Sequence, residues 1–401
     1  MGEKIALGFH TCVDYELSWD AAIFTALINK YDIQNKEIAV DIMVDSERAL
    51  IIAVLAHMRQ NIGGEMIPTT SKIAEDFAGN FPYNITVGGT ATRAAFSIAK
   101  LGYSSALQVC CFNEHIRRFM PEEVHYFSSV GKGHNTIYPH VIFQYPANFH
   151  VCSNDINFTT SRPNRVMFSR DLDSLYMQVS EDFAPYIIEA EVFLLSCFSE
   201  ILDFEILKDR LKKTGNLLGH LPPDALVVME DGCYVQKEFR YYVHKILQPV
   251  IDILSMNEDE LQDYVGHCID ILNPAEVAEA VKYVYAHAKI PILLVHSAAW
   301  ALSYGENPAF LHNALEGGIA MASSRYRLGD NFARKEYEES KLLPNRQSST
   351  DFCESISKML GSNICCIPCK NLDFVQNPTT VGLGDFFAGG LLPELVVDRR
   401  S

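Results

Sequence analysis

Short hydrophobic runs alternate with amphipathic stretches along most of the chain. Residues 5–9 and 226–229 are almost wholly apolar, which predicts strands that are buried on both faces. Residues 201–213 and 274–287 instead repeat apolar side chains every three or four positions, which predicts helices packed on one side. Alternating strands and helices are typical of a largely parallel sheet with helices on both faces. We therefore predict a three-layer α/β fold.

The same pattern positions the other predicted elements. Further strands are expected at residues 106–111, 192–197, 250–254, 292–295 and 364–367. Further helices are expected at residues 21–30, 46–59, 92–101, 238–247, 258–264, 307–325, 352–360 and 384–395. Residues 327–349 are mostly polar and are predicted to form a loop.

One stretch of the chain has a different texture. Residues 137–145, 149–158 and 166–168 are short β segments rich in aromatic and β-branched side chains. We expect residues 135–169, together with residues 14–88, to form a small β-rich lid domain. A large α/β domain would then comprise residues 1–13, 89–134 and 170–401. The length of 401 residues agrees with such an addition, since one compact core rarely organises so long a chain.

Charge and cysteine content exclude some functions and favour one compartment. The net charge of −17 argues against a nucleic-acid surface, but local cations, backbone amides and Mg²⁺ still permit phosphate binding. No segment reaches the roughly 18 apolar residues of a membrane span. The eleven cysteines are scattered through apolar stretches, which is typical of reduced thiols in a cytoplasmic protein. Cys366 and Cys369 form a CxxC without a second pair at zinc-site spacing, so we expect buried thiols there.

The strongest local signal is the segment from Asn377 to Asp385, which reads Asn-Pro-Thr-Thr-Val-Gly-Leu-Gly-Asp. Gly382 and Gly384 let the backbone approach an anion closely, and the first amides of the following helix point at it unpaired. An aspartate there can take the proton of a hydroxyl that attacks phosphorus. An ordinary helix start is the structural alternative.

Two acidic strand ends give weaker signals. Asn257 and Glu260 follow a predicted strand at a spacing that either forms a helix capping box or places an acid near a hydrated Mg²⁺. Glu230 and Asp231 end another strand, where they either solvate the strand end or face a ligand. Both interpretations stay open at each position.

The amino-terminal half carries candidates for a polyol site. Gly88 and Gly89 precede a helix and permit close backbone contact, and Asp14 follows the first strand at the edge where ligands bind. The paired glycines do not form the Gly-x-Gly-x-x-Gly pattern, so a dinucleotide fingerprint is poorly supported.

In this order along the chain, the motifs resemble those of the ADP-dependent glucokinases and phosphofructokinases, a family of the ribokinase-like superfamily. Thr380-Val-Gly-Leu-Gly-Asp385 is the most specific match. The segment from Arg162 to Phe168, the strand His140-Val-Ile-Phe-Gln-Tyr145 and the strand end Leu294-Val-His-Ser297 are similar to further family segments. The resemblance extends from about Leu7 to Leu395.

The resemblance implies a ribokinase-like sandwich in which the large domain is a nucleotide-binding domain and the lid covers the sugar. It also implies roles for individual residues. Asp385 would be the catalytic base, with Gly382 and Gly384 in the anion hole. Glu230 and Glu260 would organise Mg²⁺ or another divalent cation. Nucleotide contacts would come from Asn257, Arg165, Thr380 and Val381. Sugar contacts would come from Asp14, Gly88, Gly89 and His140, and Glu65 lies where glucose-using members place an acid.

Three positions depart from the family pattern. Val228 stands where a histidine is usual, and Cys12 and Thr90 replace amide side chains on the sugar side. The expected partners are ADP and either glucose or fructose 6-phosphate; for the latter, Arg93, Arg162, Arg165 and Arg170 are candidate cations. An ATP-dependent kinase of another small acceptor and a non-catalytic binding protein are the alternatives.

Overall fold

The computed structural model describes residues 3–130, 135–376 and 378–398. Residues 1–2, 131–134, 377 and 399–401 lie outside the described part, including Asn377 of the predicted motif and short pieces of the predicted large domain. The described residues form strands β1 to β16, with the bounds Ile5–Phe9, Cys12–Leu17, Gly64–Met66, Tyr83–Gly88, Ser105–Val109, Val124–Ser128, His140–Tyr145, His150–Ser153, Ile156–Thr159, Asn164–Phe168, Val192–Leu195, Leu226–Glu230, Ile253–Asn257, Ile292–His296, Trp300–Gly305 and Ile364–Pro368. They also form helices α1 to α15, with the bounds Ala21–Lys30, Glu47–Gln60, Ser71–Ala78, Thr90–Lys100, Glu114–Phe119, Leu172–Tyr176, Ala184–Ile187, Phe204–Leu218, Lys237–Leu247, Glu258–Val265, Pro274–Ala288, His312–Leu328, Arg334–Lys341, Gln347–Leu360 and Leu383–Asp398.

A nine-stranded sheet forms the central layer of the α/β fold. Its order is β16-β15-β14-β13-β12-β11-β1-β5-β6. The strands from β14 to β6 in this order run parallel, and β15 is antiparallel to both of its neighbours. The carboxyl ends of β1, β11, β12, β13 and β14 therefore meet at one edge, which is where ligands bind to sheets of this kind.

Helices cover both faces of this sheet because the side chains of each strand alternate between them. On one face, Phe193 and Leu195 pack in a buried cluster with α8, α9, α11 and α14. On the other face, Val192 and Leu194 pack with α4, α12 and α15. Residues of β11 and its neighbours are thus buried on both sides, as their continuous hydrophobic runs predicted.

A second sheet has five strands in the order β3-β10-β7-β2-β4. Only two residues, His10 and Thr11, separate the end of β1 from the start of β2, so they join the two sheets. Helices α1, α2 and α3 bury an apolar face against β7 and β10 around Phe143 and Phe168. These strands come from residues 12–88 and 140–168; the division into two domains stays a prediction.

Most predicted elements are confirmed within a few residues, and one is wrong. Residues 327–349 are not a loop, since they include α13 and the start of α14. Helix α13 escaped detection because its sequence Arg-Lys-Glu-Tyr-Glu-Glu-Ser-Lys lacks an apolar stripe; Tyr337 and Ser340 are its buried residues. Strands β2, β3, β4, β6 and β15 and helices α3, α5, α6 and α7 were also missed. Among the described residues, no helix is both long enough and apolar enough to cross a bilayer.

Candidate active site

The residues of the strongest motif form a tight turn that begins α15. Gly382 has φ +72°, and a Cβ atom at this position would overlap Nη1 of Arg93. Both observations require glycine. Helix α15 starts at Leu383, so Asp385 lies in its first turn, where the amides of the helix start are unpaired and attract anions.

Arg93 of α4 lies directly behind this turn. Its Nη2 is 2.5 Å from Asp14 Oδ2 and 3.4 Å from Glu16 Oε1, and its Nη1 is 3.8 Å from Asp385 Oδ2. Burial disfavours the charged guanidinium, but Asp14, Asp385 and Glu16 outweigh that effect and raise the pKa of Arg93. Arg93 is only 4 % exposed and is held by these acids, so the expectation that it could meet a sugar phosphate is wrong.

Side chains of α12, β7 and β10 hold Thr380 and Val381, which precede the turn, by hydrogen bonds. Arg325 of α12 donates from Nε to the carbonyl of Val381 at 3.2 Å. Arg165 of β10 donates to the carbonyl of Thr380 at 3.5 Å, and the hydroxyl of Thr380 donates to Gln144 of β7 at 3.3 Å. The predicted nucleotide residues Arg165, Thr380 and Val381 are therefore brought together by the structure.

Glu230 ends β12 and is hydrogen-bonded to a histidine of β14. The distance from His296 Nε2 to Glu230 Oε1 is 3.0 Å. Burial disfavours protonation of His296, but the hydrogen bond and charge of Glu230 outweigh burial and raise its pKa. Val228 is buried on the face covered by α4, α12 and α15. His296 supplies an imidazole to Glu230 from a different strand, β14. The sequence indicates a strand end at His296, but no short motif there gives this residue a role.

Asn257 and Glu260 form the capping box that their spacing permits. Asn257 Oδ1 accepts from the amide of Glu260, and Glu260 Oε2 accepts from the amide of Asn257, both at 2.9 Å. The structural interpretation of this motif is therefore correct. Capping is not the whole role that this motif permits. Glu260 is 6 % exposed, and within the cap its carboxylate accepts a hydrogen bond from one amide alone.

The acids at these strand ends have the character of a cation site. Burial, followed by the charges of Asp231 and Glu230, raises the pKa of Glu260 well above its usual value. Asp231 is already held by Tyr264 at 2.8 Å and lies 3.6 Å from Arg240 Nε. Within the described residues, Oε2 of Glu230 and Oε1 of Glu260 accept no hydrogen bond. Two such oxygens fit a hydrated Mg²⁺, which commonly keeps several of its waters.

The predicted sugar residues Asp14 and His140 lie opposite each other on paired strands β2 and β7. His140 Nε2 is 3.4 Å from Asp171 Oδ2. Burial lowers the affinity of His140 for a proton, but its hydrogen bond with Asp171 and the charge of Asp171 raise its pKa to about 9. The ring of His10 lies 5.9 Å away, where burial and the charge of His140 lower the pKa of His10 to about 4.

Gly88 and Gly89 serve close backbone packing. A Cβ atom at Gly88 would overlap the carboxylate of Asp14 and the sulfur of Cys12. Gly89 has φ +92°, and a Cβ atom there would overlap the carbonyl of His10. The two glycines therefore let β4 and α4 approach the residues that follow β1.

Glu65 on β3 contacts solvent, yet protein surrounds it closely enough to perturb its charge. Burial raises its pKa, while the charges of Arg165 and His140 oppose that shift. Burial and the nearby charge of Glu65 raise the pKa of Glu200 to about 7. Glu200, Asp171 and His10 belong to this side of the site and were missed from the sequence, because no short motif carries them.

The chain matches the family model described as the ADP-specific phosphofructokinase/glucokinase conserved region over residues 3–392. A comparison with curated proteins finds no match. Among solved structures, a phosphofructokinase from Pyrococcus horikoshii OT3 with AMP is 17 % identical, with a TM-score of 0.74 over 100 % of this chain and 99 % of that chain.

Two further structures are similar. A hypothetical ADP-dependent phosphofructokinase from Pyrococcus horikoshii OT3 is 18 % identical, with a TM-score of 0.76 over 100 % of this chain and 99 % of that chain. An ADP-dependent kinase in complex with fructose-6-phosphate and ADPbetaS is 17 % identical, with a TM-score of 0.76 over 100 % of this chain and 95 % of that chain. These structures confirm the predicted ribokinase-like α/β fold. Since the family model spans nearly the whole chain, the protein belongs to the ADP-specific phosphofructokinase/glucokinase family and is an ADP-dependent sugar kinase.

Proposed function

We propose that this protein transfers the β-phosphoryl group of ADP to a hydroxyl of glucose, with Asp385 as the base. The observation that carries the proposal is the position of Asp385 in the first turn of α15, behind the left-handed Gly382 and 3.8 Å from Arg93. A carboxylate at a helix start stands next to the amides that bind an anion. Base and phosphate are thereby held on the same few residues.

The reaction follows from this arrangement. The acceptor hydroxyl gives its proton to a carboxylate oxygen of Asp385 while its oxygen bonds to the β-phosphorus of ADP. The bond from that phosphorus to the bridging oxygen breaks, and AMP leaves with the electron pair. Amides of the turn at Gly382 and Gly384 face the charge that develops on the phosphoryl oxygens.

Glu230 and Glu260 are the residues that would hold a divalent cation. Their uncommitted oxygens, Oε2 and Oε1 respectively, suit hydrogen bonds to the waters of a hydrated Mg²⁺. When bound, such an ion neutralises part of the phosphate charge. His296 and Asn257 keep the two carboxylates oriented through the contacts already described.

Charge on the acceptor side favours an uncharged sugar. Asp14, Glu65 and Glu200 present carboxyl groups there, and burial next to the charge of Glu65 raises the pKa of Glu200 to about 7. Sugar hydroxyls can donate to these oxygens, whereas a sugar phosphate would add negative charge. Arg93 cannot compensate, because it is held by Asp14, Glu16 and Asp385.

Fructose 6-phosphate is the second candidate acceptor. Arg165 supports it, because this side chain is exposed and its hydrogen bond among the described residues is a long one of 3.5 Å to Thr380. A guanidinium that is so weakly engaged can bind a phosphate in a bidentate manner. A compound of this kind is present in one of the similar structures, the complex with fructose-6-phosphate.

The two acceptors and the two nucleotides can be separated in one set of assays. We expect wild-type protein to phosphorylate glucose with ADP and to do so poorly with ATP. Glu65→Ala should lower kcat/KM for glucose by at least about tenfold, since a hydrogen bond to a charged group contributes roughly 1.5–3 kcal/mol. Glu75→Ala, an exposed acid on α3, is the matched control.

Other outcomes would contradict this proposal at distinct points. Transfer to fructose 6-phosphate alone, unaffected by Glu65→Ala, would replace glucose as the acceptor. A strong preference for ATP would contradict the nucleotide assignment. If neither sugar is phosphorylated, Cys12 and Thr90 mark a different acceptor.

A further inference from the structure

Three side chains with metal-binding atoms meet where the two sheets join. His10 follows β1 directly, Cys12 begins β2, and His140 begins β7. One ligand atom from each lies within 4.8 Å of the others. The backbone here is fixed, because Thr92 of α4 donates to the carbonyl of His10 at 3.0 Å and is hydrogen-bonded to Thr11 at 2.8 Å.

Cys12 and His140 are buried, and His10 is partly buried. Nε2 of His10 is inaccessible to solvent and has no hydrogen-bond partner among the described residues, whereas Nε2 of His140, also inaccessible, has only the 3.4 Å contact with Asp171 Oδ2. The thiol of Cys12 has only a weak contact of 3.5 Å with Asp14 Oδ1. Buried polar atoms in proteins are almost always hydrogen-bonded, so an imidazole nitrogen left unpaired beside a second imidazole and a thiol indicates that a ligand is missing.

We propose that His10, Cys12 and His140 form a binding site for a borderline-soft divalent cation such as Zn²⁺ or Co²⁺. The site is distinct from the one expected at Glu230 and Glu260, because its donors are two nitrogens and a sulfur instead of carboxylate oxygens. Mg²⁺ selects oxygen ligands, whereas thiolate and imidazole select Zn²⁺ and related ions.

The geometry requires only a small adjustment. Bond lengths of about 2.0–2.3 Å place tetrahedral Zn²⁺ ligands about 3.3–3.6 Å apart, so atoms that now lie up to 4.8 Å apart need to approach by about 1.2–1.5 Å at most. Asp171 lies 3.4 Å from Nε2 of His140, which leaves Nδ1 of this ring to coordinate while the carboxylate orients the imidazole, as outer carboxylates do in zinc sites. Three protein ligands leave a fourth position for water.

Binding exchanges protons for the ion. The thiol of Cys12 loses its proton on binding, and each imidazole coordinates through a nitrogen that carries no proton. Binding therefore releases protons to solvent, and no oxidant or reductant is involved.

The site lies on the acceptor side, since Cys12 and His140 flank Asp14 on β2 and β7. An ion held there would occupy the space of the sugar. This consequence rests on the proposed function, and it predicts that Zn²⁺ raises the KM for the sugar without lowering kcat at saturating sugar.

Titration of the full-length protein with Co²⁺ in the absence of substrate tests the site itself. A Co²⁺–thiolate bond produces a near-ultraviolet charge-transfer absorption, which we expect to saturate at one equivalent and to disappear on addition of Zn²⁺. Cys12→Ser should abolish the absorption and His10→Gln should weaken Co²⁺ binding at least tenfold, while Cys268→Ser, an exposed thiol, should leave it unchanged. Circular dichroism verifies that each variant is folded.

Three results would overturn the proposal. The absorption could be absent in wild-type protein, it could persist in Cys12→Ser, or it could instead be lost in Cys353→Ser, which would move the ion to the thiols around β16. Because no substrate is present, each of these results is distinguishable from a failure of the proposed kinase reaction. Inhibition by Zn²⁺ that is equal in wild type and Cys12→Ser would contradict the overlap with the sugar.

Discussion

The two halves of the active site are built in different ways. The phosphoryl side, which comprises Glu230, Asn257, Glu260 and the turn from Gly382 to Asp385, uses residues that end a strand or begin a helix. Its caps close between neighbours three residues apart. The sugar side, which comprises His10, Cys12, Asp14, Glu65 and His140, is assembled from strands β2, β3 and β7 and from the connection between β1 and β2.

The difference lies in how each side holds its charges. On the sugar side, the ion pair of Arg93 with Asp14 spans 79 residues of sequence and is almost fully buried. On the phosphoryl side, charges stand at helix starts, where backbone amides stabilise them. The sugar side should therefore be the more sensitive to loss of one partner and to pH.

Loss of Arg93 should have the largest effect on stability. Arg93→Met leaves Asp14 buried without its cation, whereas Glu16 keeps Arg325 at 3.9 Å; breaking a buried pair such as that of Arg93 with Asp14 costs about 3–5 kcal/mol. The midpoint of urea denaturation should fall accordingly. Arg48→Met removes a half-exposed pair with Glu37 and should cost about 1 kcal/mol or less. Equal midpoints for the two variants would contradict the claim that the sugar side is especially sensitive to loss of one partner.

The pH dependence of stability should report on His140. Its pKa rises from 6.5 unfolded to about 9 folded, so its contribution is fully present below pH 6.5 and is lost as pH rises through 9. The loss is on the order of 3 kcal/mol. Denaturation between pH 6 and 10 measures it: the difference between wild type and His140→Gln should shrink across this window. His150→Gln, an exposed histidine, should track wild type, and a constant difference for His140→Gln would refute the assignment.

A smaller effect should separate the two roles of Glu260. Glutamine can still close the capping box, so Glu260→Gln should leave stability nearly unchanged. It removes the charge, so the Mg²⁺ concentration for half-maximal activity should rise several-fold. Asp259→Asn, an exposed acid in the same turn, is the control. If Glu260→Gln needs no more Mg²⁺ than this control, Glu260 is a helix cap alone.

Sequence reasoning reached the phosphoryl side more fully than the sugar side, and the cause is physical. The capping box and the start of α15 depend on neighbours in the chain, so Asn257, Glu260 and Asp385 could be located from spacing alone. Their assembly with Glu230 followed from the meeting of parallel strand ends. The family resemblance supplied the roles.

Long-range partners could not be read from the sequence. Glu230 and His296 are 66 residues apart, and two partners of Arg93, Asp14 and Glu16, lie on a strand that was not predicted at all. Strand β2 was missed because its inward positions include Asp14 and Glu16, which break the hydrophobic pattern of a buried strand. Those acids are tolerated because Arg93, Arg325 and Thr86 pair with them.

The central claim is that Asp385 takes the proton from the acceptor hydroxyl. Its direct test is the turnover number of Asp385→Asn with ADP and glucose, measured alongside the Kd for ADP by calorimetry. We predict that turnover falls by at least about 10²-fold, as expected for loss of a general base, while ADP binds with nearly wild-type affinity. Turnover close to wild type in the folded variant would contradict the claim.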